Sequence, residues 1–226
     1  MSNPAALPVL LSLVDQRLPS GGHIHSGGIE EAVTDGTVHD TGSLGVFLSM
    51  RLQCIGLVSA SIAAAAFSLT AGSHDRLEAE TEARLPSPIA RATSRAQGRG
   101  LLRVARAAWA APSAELSWRD VGERPHLPIL MGCIARAAGL TPFDAALATA
   151  YQCVTGPATA AQRLLSLDPI AVSVLTITMS DVIAEIAARA SRAAEGPYRD
   201  LPDIASVRLD LMTERHAMRP NRLFAS

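Results

Sequence analysis

The residues best suited to chemistry lie near the start of the sequence, where His23 and His25 stand between Gly21-Gly22 and Gly27-Gly28. On an extended backbone an H-x-H pair offers two imidazoles to Ni²⁺, Zn²⁺ or Cu²⁺. Two imidazoles alone make a weak site, and no cysteine or second histidine pair nearby completes a four-ligand set. The paired glycines permit positive φ and close backbone approach. The stretch therefore reads first as a structured turn with locally packed histidines, and otherwise as a surface touched by a partner. The spacing fits no G-x-G-x-x-G phosphate loop.

A second cluster is cationic. Arg91, Arg95, Arg99 and Arg103 recur every four residues, with Arg106 close behind. On a helix they share one stripe, because a step of four drifts only about 40° at 3.6 residues per turn. Guanidinium forks suit carboxylates, so the stripe is either a dock for an acidic partner or a solvated face paired with Asp75, Glu78, Glu80 and Glu82. Aromatic residues make up only 4% of the chain and none lies in the stripe, which disfavours base stacking. His39, His74, His126 and His216 are scattered and read as surface or capping residues. No G-x-S-x-G, H-E-x-x-H or D-D-x-x-D occurs.

Composition narrows the choices further. All 20 basic residues are arginine. A chain without lysine has no Schiff-base or general-base lysine and no Walker A loop. The net charge of −1 gives no electrostatic case for nucleic acid or an anionic membrane. Cys54, Cys133 and Cys153 are widely spaced, odd in number and set among apolar residues. They read as buried thiols in a reducing, cytoplasmic compartment. The N-terminus lacks a basic n-region, so no signal peptide is expected. The uncharged run from Cys54 to Ser73 has the length of a membrane span, but its Ala, Gly and Ser content suits close helix packing instead.

The elements that must position these residues read as helices. Asp40 or Thr41 caps one running to about Ala71, and a shorter one covers Asp75 to Arg84. Ser87-Pro88, Thr141-Pro142 and Asp168-Pro169 each place a capping residue before a proline at the first helical position. The helix from Pro88 reaches about Ala110, with Gly98 and Gly100 as soft points. Residues from Pro112 to Pro128 are the best linker candidate. Val172 to Thr178 is β-branched, yet its continuation is strongly helical, so one long helix is expected up to Gly196-Pro197. Leu201 to Leu211 forms a last helix. The expectation is an all-α, single-domain helical bundle of roughly eight to ten helices spanning 1–226. Its N-terminal segment (about 1–6) and C-terminal tail (about 213–226) are expected to be mobile.

Three segments together resemble the urease accessory protein F (UreF) family. The first runs from Leu10-Leu11-Ser12-Leu13 through Leu18-Pro19-Ser20-Gly21-Gly22 to Ser26-Gly27-Gly28-Ile29-Glu30. The second is Ser94-Arg95-Ala96-Gln97-Gly98-Arg99-Gly100-Leu101-Leu102, similar to the family's S-x-x-x-G-x-x-L-L. The third is the ending Arg222-Leu223-Phe224-Ala225-Ser226, similar to R-L-F-x-S. Departures are His23 and Ile24, where the family has Phe or Tyr and then Ser or Thr. Arg163 to Pro169 also lacks the family's Gly-Gln.

The resemblance implies a non-enzymatic, all-α adaptor without a cofactor of its own. Such a protein forms a homodimer and binds urease accessory protein D/H. With it, the adaptor recruits the urease accessory GTPase G to the urease apoprotein, where nickel is inserted. Partner-contact roles follow for Gly21, Gly22, Ser26, Gly28, Glu30, Arg222, Leu223, Phe224 and Ser226, with His25 as a further position. Arg95 and Arg99 join them from the stripe, and Arg95 and Arg222 are candidates to act on the GTPase. A direct nickel carrier using His23 and His25 is the alternative.

Overall fold

The computed structural model describes residues 6–15, 17–18 and 25–224. Among these, eleven α-helical segments and no strand are found. They are α1 (Ala6–Val14), α2 (Ile29–Thr34), α3 (Thr41–Arg51), α4 (Leu57–Ala66), α5 (His74–Ala83) and α6 (Pro88–Ala108). After them come α7 (Leu127–Ala137), α8 (Pro142–Leu165), α9 (Pro169–Thr178), α10 (Ser180–Ala193) and α11 (Val207–Met218). A π turn, Leu52–Gly56, joins α3 to α4 in one continuous run, so the bundle has ten helices, as the all-α reading expects.

α4 is the axis of the bundle. Nine of its ten residues are buried, and it packs against α7, α8 and α10. One side, with Val58, Ile62 and Ala66, faces a core that includes Leu101, Ile129 and Trp118. The other, with Leu57, Ala60 and Ala64, faces Phe47, Val154 and Ile186. Small side chains let the helix axes approach. A Cβ on Gly132 of α7 would lie 2.2 Å from the Ala63 carbonyl oxygen, and one on Gly98 of α6 would lie 2.0 Å from that of Pro125. Gly98 is therefore a point of contact between segments and not a soft spot. The run Thr41–Ala66 is long and apolar enough to cross a membrane by length and composition, but 56% of its most apolar window is buried within the bundle.

Local capping forms the helix starts. Asp40 accepts from the Ser43 amide at 2.7 Å and Ser87 from the Ala90 amide at 3.0 Å. Thr141 accepts from the Asp144 amide at 3.1 Å, and Asp168 from the Ile170 amide at 3.0 Å. These bonds satisfy amide donors that the first helical turn leaves open.

The helix ends differ more from expectation. The run from Thr41 stops at Ala66, and Arg136 donates to the carbonyls of Phe67 and Leu69 released there. The single long helix expected after Pro169 is two, bent by 42° at Met179. Thr178 Oγ1 donates to the Leu175 carbonyl and Ser180 Oγ to that of Ile177, a local competition that loosens the backbone ladder. The last helix is Val207–Met218, not 201–211. Its delay has a cause in Arg84, whose buried guanidinium donates to the carbonyls of Arg199, Leu201 and Pro202 at 3.0–3.1 Å and holds that stretch off the helix. Residues 112–126 are no linker. Leu116, Trp118 and Val121 are buried, and Trp118 Nε1 donates to the Trp109 carbonyl at 2.7 Å.

Gly132→Ala should cost more than about 3 kcal/mol, because the added methyl meets main chain on a facing helix and α4 has no room to retreat. Urea denaturation of the variant beside the parent protein measures this; a loss below about 1 kcal/mol would contradict the close α4–α7 contact.

Candidate functional site

The turn Gly27-Gly28 runs in left-handed conformation, with φ of +61° and +87°. Gly28 thereby becomes the N-cap of α2. A Cβ on Gly27 would lie 3.0 Å from Pro157 Cγ and 3.2 Å from Arg51 Nη2, so the turn sits tightly on α8 and α3. Ile29 and Ala32 are fully buried and anchor α2 to the core. This leaves two adjacent acidic residues, Glu30 and Glu31, buried against the C-terminal part of the chain.

Both carboxylates are used. Glu30 Oε2 lies 2.7 Å from His216 Nε2, and the same oxygen accepts from the Phe224 amide at 3.0 Å. Its other oxygen accepts from the Leu223 amide at 2.8 Å. Glu31 forms a forked pair with Arg219, whose Nη2 donates at 3.0 Å. The buried His216 therefore presents a donor at Nε2, while its Nδ1 has no hydrogen-bond partner. Burial pushes the Glu30 carboxyl upward, but the two amides and His216 outweigh it and hold the group below its ordinary range. A buried carboxylate is stable when each oxygen accepts such bonds.

The consequence for the tail is specific. Its backbone is held while two of its side chains are not. Arg222 is exposed and Leu223 is 81% exposed, whereas Phe224 is half-buried against the α2–α8 core. The helix preceding this segment continues to Met218, so residues 213–218, expected in the tail, are helical.

The other candidate residues are dispersed. Ser26 is fully buried with an unpartnered Oγ, and Gly28 is buried at the α2 cap; neither presents a free surface. His25 is half-buried on a cavity wall. Gly21, Gly22, His23 and Ser226 lie outside the described residues. No group of three or more His, Cys, Asp or Glu among the described residues is arranged to hold a metal ion.

Arg95 is engaged inside the protein. It donates to Glu78 at 2.8 Å, to Glu82 at 2.7 Å and to the Arg124 carbonyl at 2.7 Å. His126, expected at a surface, is fully buried between Glu82 (3.0 Å) and Ser94 (3.1 Å). Its desolvation, chiefly, depresses its pKa despite the nearby carboxylates. Arg99 and Arg103 remain exposed.

The chain matches the UreF family model over residues 38–179. It is 46% identical to the urease accessory protein UreF of Mycolicibacterium vanbaalenii over 224 residues, covering 98% of this chain and 100% of that protein. Against the protein of that name from Mycobacterium sp. (strain JLS), identity is 48% over 97% of this chain and 99% of the relative. For Mycobacterium tuberculosis it is 44%, over 98% and 99%. The chain belongs to the UreF family. The family-model match covers α3 to α9 and the start of the bend after it. The contacts of Glu30 and Glu31 with the tail join two segments outside that match. Two of the three motifs by which the sequence resembles the UreF family thus meet in space.

Glu30→Gln keeps the shape of the side chain and removes its charge. Hydrogen exchange of the Leu223 and Phe224 amides should then rise by about tenfold, since a charged acceptor strengthens each bond. The folded Glu30 pKa lies below its ordinary 4.5, so the tail contact should be complete above that pH and lost as pH falls through the lowered value. Exchange at both amides that is unaffected by the substitution would rule out this anchoring.

Proposed function

We propose that the chain is a non-catalytic adaptor of urease maturation. It works in the cytoplasm as a homodimer. It bridges accessory protein D/H and the GTPase G on the urease apoprotein, supports GTP-dependent nickel insertion and regulates the GTPase. The observation that carries this reading is the arrangement of the tail. Main-chain bonds to Glu30 hold it, leaving the side chains of Arg222 and Leu223 in solvent. Arginine and large apolar groups displayed together are typical anchors of protein interfaces.

A second surface favours self-association. On α9, Ile170, Val174 and Ile177 are 73%, 53% and 68% exposed and follow one another at helical spacing. The helix carries no charged residue. Apolar stripes of this kind on a water-facing helix mark contact surfaces. Arg99 and Arg103 add an exposed cationic strip on α6, suited to carboxylates of a partner.

The test is co-expression with the accessory D/H and G proteins and apo-urease. Deleting Arg222 to Ser226, or replacing Arg222 and Leu223 together by alanine, should reduce co-purification with D/H and urease activation by about tenfold or more. That loss corresponds to one or two interface anchors. The thermal midpoint of the double variant should stay within about 2 °C of the parent, as for surface substitutions. Co-purification with D/H that survives the deletion unchanged would refute the tail's role.

A further inference from the structure

A cavity of about 260 Å³ opens beside the Gly27 turn, and the adaptor reading assigns no ligand to it. Three backbone irregularities converge on its wall. The α3–α4 run leaves α-helical geometry at Leu52–Gly56, directly after Arg51. π turns inside α-helices recur at functional sites. Pro157 lies inside α8, where it has no N–H to give to the Cys153 carbonyl four residues earlier. Gly27, in left-handed conformation, completes the pocket corner, with Arg51 Nη2 and Pro157 Cγ both too near for a comfortable side chain.

Arg51 occupies the centre of this corner. Its Nε is shut off from solvent without a hydrogen-bond partner. Among the described residues, the arginine ion pairs are those of Arg17, Arg84, Arg91, Arg95, Arg106, Arg199 and Arg219, and Arg51 is not one of them. Among the described residues, neither carboxylate on the cavity wall, Asp15 or Asp210, forms an ion pair with it. Asp15 is held by Arg17 at 2.6 Å. Asp210 is partly buried and its carboxyl is pushed toward the neutral form by that burial and by Glu214. Arg84 is committed to carbonyls and Glu80, and Arg163 adds a further exposed cation at the rim. A guanidinium nitrogen withdrawn from water without an acceptor is costly. On the same face of the α3–α4 run, one turn beyond Arg51, the lining continues with the apolar Ile55.

We infer that this cavity binds a small monocarboxylate, its carboxylate on Arg51 and its hydrocarbon part against Ile55. The volume lies just below the usual range of small-molecule sites and admits an acid of up to about ten heavy atoms. A forked guanidinium matches the two oxygens of a carboxylate. The apolar wall favours an alkyl acid over a fully hydrated inorganic oxyanion.

Butyrate, acetate, sulfate and chloride, each as the sodium salt at matched ionic strength, distinguish the possibilities by titration calorimetry on the full chain. Butyrate should bind saturably at one equivalent, more tightly than acetate or sulfate, and chloride should give no saturable signal. In ¹⁵N spectra of the arginine Nε–H groups, one buried resonance should move with butyrate. Arg51→Met should weaken butyrate binding by about tenfold or more. Absence of saturable butyrate binding by the parent protein overturns the inference without recourse to any variant. So does sulfate bound as tightly as butyrate, or a response confined to exposed arginines.

Discussion

The structure depends on the absence of a side chain at Gly132. The Ala63 carbonyl occupies the space where a methyl group would be, so α7 lies directly on the backbone of α4. With α4 enclosed by alanines, α8 and α10 pack on its remaining sides. α8 in turn supports the Gly27 turn through Pro157, the turn caps α2, and α2 carries the two carboxylates that hold the tail. The tail site is thus the outer end of a chain of contacts that starts in a close helix crossing. Dense packing transmits position along such a chain because interiors have few voids to absorb a displacement.

The electrostatics follow from having only one kind of permanently cationic side chain. Arg84 donates to several carbonyls of one loop, and Arg95 joins two glutamates and a carbonyl. A lysine ammonium has no planar fork for such simultaneous contacts. The arginines at these positions act as cross-braces between segments. Others, Arg99, Arg103 and Arg222 among them, are exposed. The stripe that looks uniform in sequence is therefore divided in the fold. Its first members face the acidic side of α5, and Arg99 and Arg103 face water.

What could be read in advance was local. Asp40, Ser87, Thr141 and Asp168 each bond an amide within three residues, so their role is visible in the adjacent sequence. The bend at Met179 was not visible, because Thr178 and Ser180 are compatible with a helix and only their choice of carbonyl partner breaks it. The late start of α11 depends on Arg84, more than 110 residues away. Leu116, Trp118 and Val121 turn an apparent linker into core, a tertiary outcome that proline and glycine content conceals. At the tail site, Glu30 and its partner His216 are separated by 186 residues. No periodicity connects them, and only the resemblance drew attention to Glu30. His216 and the Glu31–Arg219 pair carried no signal of their own.

The manner in which the tail is held has a further consequence. Glu30 grips two consecutive main-chain amides, and any residue other than proline supplies those. Glu31, its neighbour, grips Arg219. The pair of acids therefore measures a distance along the chain and is indifferent to most of the side chains that fill it. Gaining or losing one residue between Arg219 and Leu223 would bring different amides to Glu30, and so change which side chain faces inward and which faces water. What the end of this polypeptide encodes at that point is its phase: a count of residues that decides whether an aromatic ring or an aliphatic one is offered outward.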